Sequence, residues 1–555
     1  MQRPEGKPST CQEQTRGTPI VDETYEIIVV GAGSAGAVVA ARLSENPAWK
    51  VLLLEAGPPN KSVWLHVPIG FAKLFTNAKY NWMYNTDPEP HIDGRRMFTP
   101  RGKTLGGSSS INGMIYLRGV RTDFNHWRQM GNVGWSYDDV LPYFRKLESY
   151  AGGDDAYRGR DGPIEVTDAE WRNDLTEGFI AAGRELGLPR NDGFNGPTQE
   201  GIGYFNLSQK RGIRNSTARG YLKPARGRPN LRIVTDALVE RVILDGRRAT
   251  GVEYSIGGER RRASAGREII VSGGAINSPQ LLQLSGIGPG QLLSDHGIEV
   301  RHELPGVGEN LHDHFNCKTS IRVSQPLTVN DHVRNWRVRA LAGLQYALYR
   351  NGALTVAAGV VGVFAKSRPE LEVPDLQVHF FPFSGDDLSV APHPFSGVTA
   401  IVNQHLPESR GHVRITSKDP RKAPSILVNY LKEEIDQRTT VAGLRFVRRL
   451  FGTKAMKPFY VSEMKPGPAV QTDEQLLAYA RANGDSTYHL CGSCRMGMES
   501  AKFSVVDDRL KVHGLEGLRV ADASIMPQIT SANTNVTSIM IGEKCADMVK
   551  VDIQC

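Results

Sequence analysis

The sequence predicts a Rossmann-type α/β domain assembled from discontinuous stretches of chain, with an α+β domain inserted between them. A β-branched run at 25–30 feeds Gly31-Ala-Gly33-Ser-Ala-Gly36 and a helical stretch to residue 44, and an apolar run at 51–54 ends at Glu55. Further strand-like runs at 231–235, 268–272 and 518–522 lie far downstream, as pieces of one sheet separated in sequence would. At 555 residues the chain is too long for a single core, so two joined domains are expected.

Each element has its own warrant. Gly31 allows the tight turn, Gly33 lets a diphosphate approach the backbone, and Gly36 permits close helix–strand packing. The helix that follows offers unpaired N–H groups and the positive end of its dipole to that diphosphate. Glu55 suits an adenosine ribose and repels a 2′-phosphate, which disfavours NADP and leaves NAD and FAD open. Between 58 and 175 the chain is rich in Pro, Gly, Trp and Tyr and reads as long excursions over the first domain. Residues 375–381 alternate polar and apolar as a half-buried strand should, 434–451 show helical spacing, and 539–551 read as a closing helix.

Composition narrows the class. With 40% hydrophobic and 23% charged residues the chain matches an ordinary globular protein, which argues against disorder. No apolar run is long enough to span a membrane, so no transmembrane segment is expected. Residues 1–24 lack the apolar core of a secretory signal and read as a disordered tail, with a cytoplasmic location expected. The net charge of +8 calls for no nucleic-acid partner, and Arg260-Arg261-Arg262 reads as a solvated hairpin edge. Six cysteines are too sparse for a disulfide framework, and Cys491-x-x-Cys494 lacks the second pair a zinc site needs, so no metal is expected.

A second glycine-serine cluster, Pro100-Arg-Gly-Lys-Thr-Leu-Gly-Gly-Ser-Ser-Ser-Ile-Asn-Gly-Met114, favours FAD, because small residues let backbone lie against a flat ring system and Asn112 can bond its polar edge. With it come Gly274-Ala-Ile-Asn-Ser-Pro-Gln-Leu-Leu-Gln-Leu-Ser-Gly-Ile-Gly288, Leu304-Pro-Gly-Val-Gly-Glu-Asn-Leu-His-Asp-His314 and Asp522-Ala-Ser-Ile-Met-Pro527. In order, from about 25 to 551, these segments resemble the glucose–methanol–choline (GMC) oxidoreductases, and in particular their bacterial alcohol-dehydrogenase, choline-dehydrogenase-like and hydroxymethylfurfural-oxidase-like branch.

The resemblance implies bound FAD. It places Gly31, Gly33, Ser34, Ala35 and Gly36 on the diphosphate, and Glu55 and Ala56 on the ribose. It sets Gly106, Ser108, Asn112, Gly113 and Met114 along the isoalloxazine, and Val239 at the adenine. Asp522 and Ala523 fall at the ribityl–phosphate region, with Trp82, Tyr488, Asn533 and Val536 also against the cofactor. It further implies an FAD-binding domain of residues 25–57, 95–170, 215–320 and 486–555, and a substrate domain of 58–94, 171–214 and 321–485 built on an antiparallel sheet flanked by helices.

The implied reaction oxidises an alcohol to an aldehyde by proton abstraction and hydride transfer to flavin N5. A base of near-neutral pKa selects histidine, and the family's active-site histidine is matched by His489. Its partner is matched by Asn535, at a separation of 535 − 489 = 46 residues. His312 and His314 are not expected to bind metal, and Cys491 and Cys494 are expected to be small packing residues. Choline-type relatives carry a glutamate where this chain has Val360, so Val360 and Val361 are expected to line a pocket for an uncharged primary alcohol with an apolar or aromatic body. The electron acceptor is O₂, a quinone or another carrier. A lyase of the hydroxynitrile type and a light-driven fatty-acid decarboxylase are the alternatives, and His489 speaks against the second.

Overall fold

The computed structural model describes residues 22–386 and 392–554. Residues 1–21, with most of the expected tail and Cys11, lie outside the described residues, as does Cys555. The first strand, β1 (Asp22–Val30), starts inside the span expected to be tail, because its early residues pair with the strand beside it.

Around β1 the first sheet is built from β2 (Val51–Leu54), β3 (Leu231–Val234), β4 (Ala237–Asp245), β5 (Arg248–Ile256) and β6 (Glu259–Val271) in the order β3-β2-β1-β6-β5-β4. The strands β3, β2, β1 and β6 run parallel, and β4–β5–β6 form an antiparallel meander. The long β6 has two uses: its early half pairs with β5 on one side, and from Arg262 onward it pairs with β1 on the other. Arg260, Arg261 and Arg262 lie on the hairpin of β5 and β6 just after its Gly257-Gly258 turn, with Arg260 exposed, but inside β6 and not ahead of a strand.

Helix α1 (Gly36–Leu43) is buried on nearly all sides, which its Gly-Ala-Val-Val-Ala-Ala composition allows. The turn ahead of it is crowded: Gly31 has φ of +97°, and a Cβ on Gly36 would stand 2.0 Å from the Gly31 carbonyl oxygen. Helix α2 (Gly274–Leu284) follows β6 and carries the second family-like segment.

The second sheet is antiparallel throughout. Strands Tyr460–Lys465, Phe315–Val323, Gly397–Gln404, Leu376–Phe381, Val361–Ala365 and Gly201–Tyr204 lie side by side in that order, and the short Asp485–Ser486 also pairs with Phe315–Val323. Strand Leu376–Phe381 is buried along its whole length and not half-exposed: Leu376, Val378 and Phe380 join the apolar cluster, and Gln377 and His379 on the other face are buried as well. Helix α3 (Trp336–Tyr349) stands at one end of this region, and α4 (Glu434–Phe451), with the bounds its periodicity predicts, packs across the sheet.

The chain then returns to the first sheet. Strand β7 (Leu518–Val520) adds to β6, and α5 (Thr534–Gln554) closes the domain against α1. A Cβ on Gly542 would come within 2.7 Å of the Ala35 carbonyl oxygen, so α5 lies directly against the glycine-rich turn. Among the described residues no helix is long and apolar enough to cross a membrane.

Candidate active site

Among the described residues one continuous cleft runs from the ends of β1, β2 and β4 to a face of the second sheet. At one end stand Glu55, Ala56 and Val239, and at the other His489, Asn533 and His379. Between them lie Gly31, Gly33, Ser34 and Ala35, then Ser108, Asn112, Gly113 and Met114, with Trp82, Tyr488, Asp522 and Ala523 on the walls. Gly36, Gly106 and Val536, which the sequence placed on the cofactor, sit behind the cleft wall. Gly36 packs on Gly31, Gly106 donates to the Ala32 carbonyl at 2.7 Å, and Val536 is buried in the core.

The walls have the chemistry of a dinucleotide site. Among the described residues the N–H groups of Gly33, Ser34 and Ala35 have no protein acceptor, and they face the cleft at the N-terminus of α1. A Cβ on Gly33 would meet nothing nearer than 3.9 Å, so the turn is open on its cleft side. Glu55 accepts from the Ala32 and Gly57 N–H groups at 2.9 and 2.8 Å, and burial raises its carboxyl to about 7. Asp522 accepts from Gly274 N–H at 2.8 Å and from Ser278 Oγ at 2.6 Å, which ties α2 to the segment after β7. Asn112 receives Arg214 Nη1 on its Oδ1 at 2.7 Å, leaving its amide hydrogens for the cleft. These residues fit FAD: an acid at the ribose end, bare N–H groups for the diphosphate and a small-residue wall for a flat ring.

His489 is fixed from behind. Segment 485–491 runs antiparallel to 312–316, with Cys491 and His312 exchanging backbone hydrogen bonds and Asp485–Ser486 paired to Phe315 and Asn316. Asp313 accepts the His489 N–H at 2.7 Å, and its other oxygen accepts from the hydroxyls of Tyr430 and Ser486. His314 donates from Nε2 to the His405 carbonyl at 2.7 Å, so in the neutral ring its Nδ1 is an acceptor. That nitrogen lies 2.9 Å from His489 Nδ1, which must therefore carry the proton. The lone pair of His489 is left on Nε2, turned toward the cleft, where the Asn533 amide donates to it at 2.9 Å. Gln377 donates to Asn533 Oδ1 at 3.4 Å and sets the amide that way round.

Two sequence expectations are corrected here. The neighbour of the His489 ring is Asn533, which the sequence assigned to cofactor contact; Asn535 instead accepts from Ser34 Oγ at 2.8 Å. Because α5 abuts the glycine-rich turn, its first-turn residue Asn535 meets Ser34, while Asn533, one residue before the helix, points back to His489. Burial, with His314, His379 and Arg101 nearby, holds the His489 pKa well below its ordinary value and not near neutrality. The ring is a neutral acceptor at physiological pH.

The substrate-side walls also differ from expectation. Val360 and Val361 do not line the cleft: Val360 donates to the Phe380 carbonyl and accepts from the Phe205 N–H, and both side chains are buried in the apolar cluster. Ala358 is the residue of this segment on the cleft wall. Sequence reasoning missed His314 and His379. His379 is buried with no protein partner for Nε2 among the described residues, and burial pushes it down to about 3. The signal for His314 was its spacing: the same His-Asp-His run supplies both the Asp313 clamp on the His489 backbone and the ring behind His489. His312 has a different task, donating to the Asn310 carbonyl and accepting the Ile529 N–H. Cys491 and Cys494 are free thiols, fully buried in the core.

Comparisons with known proteins agree with this architecture. The family model described as GMC oxidoreductase matches residues 25–316, and a second so described matches 407–542. The chain is 44% identical over 541 residues to the oxygen-dependent choline dehydrogenase of Pseudomonas putida (strain GB-1), covering 96% of this chain and 94% of that one. It is 42% identical over 535 residues to the mitochondrial choline dehydrogenase of Mus musculus, covering 95% and 90%. Among solved structures, pyridoxine 4-oxidase from Mesorbium loti superposes with a TM-score of 0.85 at 29% identity, covering 94% of this chain and 98% of that one. The chain belongs to the GMC oxidoreductase family and is an FAD-dependent oxidoreductase acting on CH–OH groups.

Proposed function

We propose that the enzyme oxidises a primary alcohol to the aldehyde, with His489 as the base and Asn533 as the group that holds the substrate oxygen. The observation that carries this reading is the Nε2 lone pair of His489 beside the Asn533 amide at the cleft end, 2.9 Å apart. A hydroxyl that displaces this direct contact donates its proton to Nε2 and accepts the Asn533 N–H. His379 Nε2, buried on the same wall without a protein partner, supplies a further hydrogen bond to that oxygen. FAD, when bound, supplies the two-electron acceptor. The protein's part is to place the alcohol, exclude water and take the proton.

The substrate is an uncharged alcohol with an apolar or aromatic body. The acids on the cleft wall are Glu55, Asp485 and Asp522, and the one nearest the substrate end, Asp485, faces Lys318 at 3.5 Å. A trimethylammonium group needs a counter-ion or a free aromatic face; of the aromatic rings on the cleft wall, Trp82 is covered by Lys103 Nζ at 4.6 Å, and Phe75 and Tyr488 pack edge to face on each other with centroids 5.5 Å apart. Choline is the second reading, favoured by the names of the relatives that match nearly the whole chain. A panel of benzylic and aliphatic alcohols and choline, assayed with a dye acceptor and in parallel for peroxide, tests the proposal. The expected result is higher kcat/KM for neutral alcohols than for choline; preference for choline would overturn the substrate assignment, and peroxide yield separates O₂ from another carrier as acceptor.

A further inference from the structure

The largest group of exposed apolar side chains lies on α3, outside the site. Trp336, Leu341, Leu344, Leu348 and Tyr349 are exposed by 67, 65, 56, 64 and 70%. Leu341, Leu344 and Leu348 follow helical spacing and form one ridge, while Ala342 and Tyr346 on the opposite side hold the helix to the body. Tyr346 Oη donates to the Gly212 carbonyl at 2.9 Å, so the helix has a defined seat and its outer face is left bare. Contiguous apolar exposure of this kind marks an interaction surface.

The charge around the ridge indicates the occupant. No Asp or Glu occurs between Asp331 and Glu370, whereas Arg334, Arg337, Arg339 and Arg350 bracket the leucines. Among the described residues Arg337, Arg339 and Arg350 have no carboxylate within ion-pair distance. A second copy of the chain docked by two-fold symmetry would set these arginines against their own counterparts. A surface with apolar depth and negative headgroups satisfies both features. At 14 residues, about 21 Å long, the helix is too short to span a bilayer and suits lying in its interface, with aromatic rings at both ends.

We propose that α3 is a docking element that lays its Leu341–Leu344–Leu348 ridge onto an anionic lipid bilayer. The turn Val63–Leu65 extends the surface: Val63 and Trp64 are exposed, Lys73 Nζ lies 3.8 Å from the Trp64 ring, and the turn connects through Pro68–Gly70 and Ala353–Thr355 to α3. The surface also adjoins the cleft. Residues after α3 lead to Ala358, whose N–H donates to the Gly113 carbonyl at 3.2 Å on the cleft wall. The inference does not rest on the substrate assignment.

Co-sedimentation of the FAD-loaded full chain with vesicles of phosphatidylcholine alone, or mixed with phosphatidylglycerol, tests it. The wild type is expected to bind the mixed vesicles at least about tenfold more tightly than the neutral ones, and to be released by salt. The triple variant Leu341→Gln, Leu344→Gln, Leu348→Gln is expected to keep its FAD and dye-linked turnover and lose about tenfold or more of that binding. Three results would overturn the proposal: no binding of the wild type to mixed vesicles at low salt, undiminished binding of the triple variant, or a wild-type dimer that the triple variant converts to monomer. The last would assign the ridge to a second copy.

Discussion

The imidazole of His489 turns its Nε2 lone pair to the cleft because a backbone carbonyl two rings away dictates it. The His405 carbonyl accepts a hydrogen bond from His314 Nε2–H, His314 Nδ1 then accepts one from His489 Nδ1–H, and the remaining lone pair of His489 is left on the cleft side, where Asn533 donates to it. Losing His314 removes this direction without touching the substrate, so His314→Ala should lower kcat by about tenfold or more with FAD content unchanged, measured by steady-state kinetics and flavin absorbance. The two asparagines separate cleanly. Asn533→Ala should lower kcat by about tenfold or more. Asn535→Ala, which loses one neutral hydrogen bond to Ser34, should change FAD affinity by only a few-fold and leave the chemical step intact. His489 was legible because it stands inside a long matched segment. Which asparagine faces it was not, since two residues of the same type two positions apart differ only in the direction set by the start of α5. Val360 misled for a related reason: its place opposite a glutamate says nothing of whether the strand there turns its side chain to the cleft or to the core.

The strand–turn–helix of β1, the glycine-rich turn and α1 is held by close contact. In Gly36→Ala the new methyl would stand 2.0 Å from the Gly31 carbonyl oxygen, so the turn must open; the variant should lose FAD on gel filtration and unfold at a lower temperature. The last strand is held by charge. Arg519 on β7 is fully buried, bonds both oxygens of Glu268 on β6 at 2.8 and 3.0 Å, and reaches Asp552 on α5. Arg519→Ala leaves Glu268 buried without its partner and should destabilise the fold by about 3–5 kcal/mol, read by chemical denaturation. Strands of the first sheet were legible as short β-branched runs, and α4 by its periodicity. The second sheet was less so. Leu376–Phe381 was legible as a strand by its alternation, but not that its polar face, with Gln377 and His379, is buried too, nor that its sheet joins segments as distant as Gly201–Tyr204 and Tyr460–Lys465.

Across the whole molecule burial holds a group of histidines neutral, and this sets how the fold answers to acid. His314 is pushed down to about 4 and His379 and His405 to about 3 from 6.5, and His312 and His489 are lowered as well. Unfolded, these rings take up protons below pH 6.5 while the folded ones do not, so the stability they allow is present above 6.5 and lost as pH falls toward 3. Each adds up to about 1.4 kcal/mol per pH unit to that slope. His405→Gln should therefore flatten the acid side of a plot of unfolding temperature against pH, and a slope equal to wild type would contradict the burial account. Glu55 has the opposite sign: with its carboxyl raised from 4.5 to about 7, its contribution is present below 4.5 and lost as pH rises through 7. All of this converges on one place, a neutral imidazole at the end of an FAD cleft, and anaerobic mixing with a primary alcohol tests it most directly. The account predicts rapid bleaching of the flavin in the wild type and bleaching slowed by about a hundredfold or more in His489→Ala at equal FAD content. Equal rates in the two proteins, or an unchanged spectrum with every alcohol tried, would contradict it.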